Sequence, residues 1–220
     1  MSGRGMQGGG WMGQHSSGWM MGNLGGNARP VRSIVAARER AQSFADRNGL
    51  KVAEVIQFTN NYYARLDDKS GKPATEILID PLSGNTSLEY GPAMMWNRRY
   101  GMMNGRFRNG MMGGAMGMGG SGSMSGASGG EMMGSTDGAI WTPASGSAGP
   151  KSAQEAVAAA DRWLATRDAS LSVPDADAFP GYYTMEITRH SKIVGMLSIN
   201  ASSGAIWNHW WHGDFVAISQ

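Results

Sequence analysis

The chain has 220 residues, 18 of them methionine and 34 glycine, with no cysteine and a formal net charge of +2. That length bounds it to one or two domains. The missing cysteine excludes disulfides, thiolate metal sites and a cysteine nucleophile, and the small net charge argues against nucleic acid as a partner.

Residues 1–28 form a Gly/Met-rich arm in which Trp11-Met12, His15 and Trp19-Met20-Met21 lie close together. The arm lacks the continuous apolar run of a signal peptide. No stretch of the chain reaches the roughly 18 apolar residues that span a bilayer, so no transmembrane segment is expected. A first module is expected over 29–92. Val31, Ile34, Val35, Ala41, Phe44 and Ala45, with Arg, Glu and Asp between them, predict a helix over 31–48 that stops at Asn48-Gly49. β-Forming residues predict a strand over 53–66, turn chemistry at Asp67–Lys72 and a returning strand over 75–80. A second turn at Pro81–Gly84 then leads to a third strand over 86–90.

Residues 93–149 read as a Gly/Met-rich linker, made flexible over 113–149 by Gly and Ser. A second module occupies 150–220. Ser152 and Glu155 make a capping box, and Ala156, Val157, Ala160, Trp163 and Leu164 supply a helical apolar stripe. Strands are expected over 182–189, 193–200 and 205–211. The two modules match at a constant offset of 120 residues: Tyr62-Tyr63 with Tyr182-Tyr183, Ile79 with Ile199, Ser83-Gly84 with Ser203-Gly204. The predicted fold class is α+β: two repeated modules, each one helix packed on a three-stranded antiparallel sheet, joined by the long linker. A module of about 65 residues buries a marginal core, so the two are expected to pack together.

Asp68-Lys69-Ser70-Gly71-Lys72 followed by Ile79-Asp80-Pro81-Leu82-Ser83-Gly84 resembles the PepSY domain family. Its strands are often joined by a D-x-x-G-K turn and end in D-P-x-T-G. Ser83 stands here where that family has Thr, and the second module departs further, with Asn200 and Ala201 in place of Asp and Pro. The resemblance implies a non-catalytic domain outside the cytoplasm, associated with proteases, membrane proteins or the cell envelope. It therefore implies a periplasmic or extracellular protein whose signal peptide has been removed.

Sixteen of the 18 methionines lie in 1–21 or 94–133. Met94, Met95, Met102, Met103, Met111, Met112, Met116 and Met118 place thioethers mostly in pairs, separated by glycine. A thioether is soft and uncharged, and it selects Cu(I) or Ag(I) over harder ions. Copper is therefore the cofactor expected. Arg98, Arg99, Arg106 and Arg108 would repel a cation there, and the same composition also suits a segment that orders on a protein partner or a plain linker. A second candidate is His209 and His212 in Trp207-Asn208-His209-Trp210-Trp211-His212-Gly213-Asp214. Placed at or just past a strand end, two imidazoles with Asp214 can take Cu(II), Zn or Ni; the alternative is an aromatic seam with His as its polar rim. The first module finishes in Met94-Met95-Trp96 near the corresponding place, which points to a shared site between modules or to a shared packing solution. No nucleophile elbow, P-loop or H-E-x-x-H motif is present. The expected function is non-enzymatic binding or buffering of Cu(I) by an extracytoplasmic protein. The competing expectation is a structural or accessory subunit whose Gly/Met-rich arms order on a larger assembly or a second copy.

Overall fold

The computed structural model describes residues 29–102, 140–141 and 148–219. Helix α1 (Ile34–Asn48) starts at Ser33, whose hydroxyl accepts from the Ala36 amide, and ends at Gly49, where a φ of 66° turns the chain. Strands β1 (Lys51–Phe58), β2 (Tyr62–Asp67), β3 (Pro73–Ile79) and β4 (Thr86–Leu88) follow, then a π-helical turn at Pro92–Trp96. After β5 (Ile140–Trp141) comes α2 (Ala153–Ala165), capped by Ser152, which accepts from the Glu155 amide. The remaining strands are β6 (Leu171–Ser172), β7 (Asp177–Phe179), β8 (Tyr182–Arg189), β9 (Lys192–Asn200), β10 (Ile206–Asn208) and β11 (Phe215–Ser219).

The chain is α+β with two antiparallel sheets, but the sheets are larger than the three strands expected. The first has the order β11-β1-β2-β3-β4; the second has β5-β10-β9-β8-β6, with β7 also paired to β8. The additions have separate causes. The run 53–66 is two strands, because the chain folds back at Thr59–Asn61 and the Phe58 amide donates to the Asn61 carbonyl at 2.9 Å. Strands β6 and β7 are two and three residues long, too short to carry a period of their own. Strand β5 comes from the expected linker and pairs with β10. Strand β11 leaves the second half altogether and pairs with β1 at the edge of the first sheet.

Alternation along the strands sorts the core into layers. Ala37, Ala41 and Phe44 of α1 pack on Val55, Leu66, Ile77 and Ile79, one face of the first sheet. Ala156, Ala160 and Trp163 of α2 pack on Met185, Ile187, Leu197 and Ile199 of the second. The opposite faces meet each other, with Ile56, Phe58, Tyr63 and Leu78 against Met196 and Trp211. The order is helix, sheet, sheet, helix, and each sheet has both faces covered.

Local geometry recurs between the halves, with a sliding offset. The caps Ser33 and Ser152, and the buried Phe44 and Trp163, are 119 apart. Tyr62 pairs with Ile79 as Tyr183 does with Ile199, an offset of 121 for β2 and β8. From β3 onward the offset is 120: Asp80 Oδ1 accepts from the amides of Leu82 and Ser83, and Asn200 Oδ1 from those of Ser202 and Ser203. The gapless match read from sequence therefore conceals one-residue shifts in the helix and in the first long hairpin. No helix among the described residues is long and apolar enough to cross a membrane.

Candidate metal centre

Past β4 and past β10 the chain leaves each sheet at equivalent points. The Glu89 amide donates to the Glu76 carbonyl at 3.0 Å, and the His209 amide, 120 residues on, donates to the Met196 carbonyl at 2.9 Å. Both side chains enter the space between the sheets. His212 joins them because residues 209–212 form a tight turn, which defeats the opposed facing that a strand would impose on a spacing of three.

Glu89 Oε1 lies 3.2 Å from His209 Nδ1 and 2.9 Å from His212 Nε2, with the three side chains 0–1% exposed. Their donor atoms all fall within 4.8 Å of one another. Despite the short distances, Glu89 Oε1, His209 Nδ1 and His212 Nε2 make no hydrogen bond of acceptable direction. The carboxylate lies within ion-pairing distance of both imidazoles, and all three groups face one enclosed point.

The outward-facing nitrogens explain this. Asn61 Nδ2 donates to the Trp211 carbonyl at 3.0 Å, which turns Asn61 Oδ1 toward His212 Nδ1 at 2.8 Å. A carbonyl oxygen only accepts, so Nδ1 carries the proton and Nε2 presents its lone pair inward. His209 Nε2 lies 3.0 Å from Ser198 Oγ, itself 2.7 Å from Thr184 Oγ1. Ser198 Oγ can donate or accept, so this bond orients the His209 ring and leaves Nδ1 on the Glu89 side. Hydrogen bonds that fix tautomer and ring orientation in this way are what supports a metal-ligating histidine. Aromatic rings close the site: Phe58 stacks on His212 at 4.4 Å and Trp211 on His209 at 4.7 Å.

Charge reinforces the geometry. Burial pushes the Glu89 carboxyl up, but the two imidazoles outweigh it and bring it to about 2. Burial holds His212 below its ordinary value despite Glu89. At neutral pH an ionised carboxylate thus faces the lone pair of a neutral imidazole, and no lysine or arginine among the described residues is buried to offset it. Beside it, Glu76 accepts from Tyr63 at 2.8 Å and Tyr182 at 2.7 Å. Burial, with the Glu89 charge second, raises Glu76 well above the carboxylate range. Folding therefore disfavours its ionisation, so this group costs stability above its unfolded pKa. Glu76→Gln should gain on the wild type by about 1.4 kcal/mol per pH unit from roughly pH 4.5 until the raised pKa is reached. Urea unfolding from pH 4 to 8 reads this; a pH-independent difference refutes the neutral Glu76.

Of the residues read from sequence, His209 and His212 converge. Asp214 does not join them: it is exposed, and its amide donates to Thr59 Oγ1. Met94 is buried in the core of the first half, whereas Met95 and Met102 are exposed, so this first group does not gather into one cluster. Met103, Met111, Met112, Met116 and Met118 lie outside the described residues. Glu89 is the member of this cluster that sequence reading missed; its one signal is that it stands 120 residues before His209. No protein-family model matches the chain, and no match was found among curated proteins or solved structures.

Proposed function

We propose that the chain is a non-enzymatic, extracytoplasmic metal-binding protein, built from two PepSY-like modules of common origin, that holds a transition-metal ion at Glu89, His209 and His212. The observation that carries this reading is the convergence of three buried donor atoms within 4.8 Å of one another. The recurring caps and turns support the common origin, and the extracytoplasmic setting rests on the PepSY resemblance alone. An enclosed site suits an ion that is retained; a catalytic metal keeps a position open to substrate. The Gly/Met-rich tract is a separate soft-donor segment in this reading, suited to Cu(I).

An ion that binds only the folded chain raises its stability. At a free concentration 100 times Kd the expected gain is about 2.7 kcal/mol. Chelator-stripped protein is titrated with Zn(II), Co(II), Ni(II), Cu(II) and Ag(I) in turn, with unfolding followed by Trp fluorescence, for which Trp211 on His209 is a built-in reporter. A chain whose stability responds to none of them does not hold metal here.

A further inference from the structure

Resting on that reading, we propose that the Glu89–His209–His212 site selects a borderline divalent first-row ion of the zinc class, and not the Cu(I) for which the methionines are suited. Three observations converge on it.

The donors are two imidazole nitrogens and one carboxylate oxygen. Imidazole suits Zn, Cu, Ni and Fe, whereas Cu(I) is selected by thiolate and thioether, neither of which is in this set. Spacing gives the second argument. Bonds of about 2.0–2.1 Å meeting at about 90–110° place ligand atoms roughly 2.9–3.4 Å apart. The observed separations from Glu89 Oε1 are 2.9 and 3.2 Å. Ca(II) needs six to eight oxygens at roughly 2.3–2.6 Å, and Mg(II) keeps several waters, so neither fits a dry two-nitrogen site.

Orientation is the third: Asn61 accepts from His212 Nδ1, which leaves the Nε2 lone pair facing Glu89, and Ser198 holds the His209 ring through Nε2, so both rings are set toward the carboxylate.

The test loads the full chain with Co(II), whose visible absorption reports ligand type and coordination number, and then challenges it. One Co(II) per chain with the spectrum of a low-coordinate nitrogen/oxygen site is expected. Stoichiometric Zn(II) should abolish that spectrum, while equal Ag(I), Mg(II) or Ca(II) should leave it. Glu89→Gln and His212→Asn should each weaken Co(II) binding more than about 100-fold, beyond what an outer-shell change costs. Two substitutions guard against one that fails to fold, and circular dichroism checks both. Displacement by Ag(I) as effective as by Zn(II), or a spectrum indifferent to both substitutions, overturns the divalent assignment. If neither Co(II), Zn(II) nor Ag(I) perturbs Trp fluorescence or stability, the metal-holding reading falls as well, so the two failures are told apart.

Discussion

Glu89→Gln should abolish tight metal binding and cost the ion-free chain about 1–3 kcal/mol at pH 8. Glu89 Oε1 faces two imidazole nitrogens at 2.9 and 3.2 Å, and these hold its carboxyl down to about 2. A side-chain amide in its place carries no charge to pair with the rings. The cost should grow as the pH falls from 8 to 5. His212 is held low by burial, so its neutral form contributes stability that is present above its ordinary pKa and lost as the pH falls below it. Glu89 limits that loss in the wild type by pairing with a protonated ring, and Gln does not. The depressed Glu89 carboxyl itself contributes stability above the ordinary carboxylate range, lost only as the pH falls toward about 2. Urea unfolding of both chelator-stripped proteins at pH 5, 6.5 and 8 measures this. No loss at any of the three pH values would show that the buried carboxylate adds nothing to the ion-free fold.

Ending the chain at Gly213 should cost about 3–5 kcal/mol and make it self-associate. Strand β11 supplies the ladder Val55↔Ser219, Ile56↔Ile218, Gln57↔Ala217 and Phe58↔Phe215. Asp214 adds two bonds to Thr59, its carbonyl accepting from the Thr59 amide at 2.9 Å and its amide donating to the Thr59 hydroxyl at 3.0 Å. Without these, β1 becomes an open edge that displays Val55 and Ile56, both fully buried in the intact chain. Sedimentation velocity and urea unfolding read the two effects. An unchanged urea midpoint would show that β11 adds nothing to the first sheet.

The helices and hairpins were legible because their signals are local. Ser152 with Glu155 marked the start of α2, and Asn48-Gly49 the end of α1. Strand β8 lies where its β-forming run placed it, at Tyr182–Arg189. The length of the sheets was not legible. The stretch 53–66 is β-forming throughout, and the reversal at Thr59–Asn61 is held partly by residues 211–214, some 150 positions away. The candidate site divides in the same way. His209 and His212 stand out as a pair, but Glu89 is an ordinary Glu beside a strand end until the two sheets close on it.

The sequence alone determined the element types, the placement of both helices and the recurrence of one local pattern about 120 residues apart. Caps, turns and hydrophobic alternation act over a few residues and can be read from them. Only the tertiary structure decided that β11 crosses to the other sheet and that Glu89, and not Asp214, completes the histidine pair. Those outcomes depend on which distant groups share an enclosed, low-dielectric space, where every buried donor and acceptor must find its partner. No spacing along the chain encodes that.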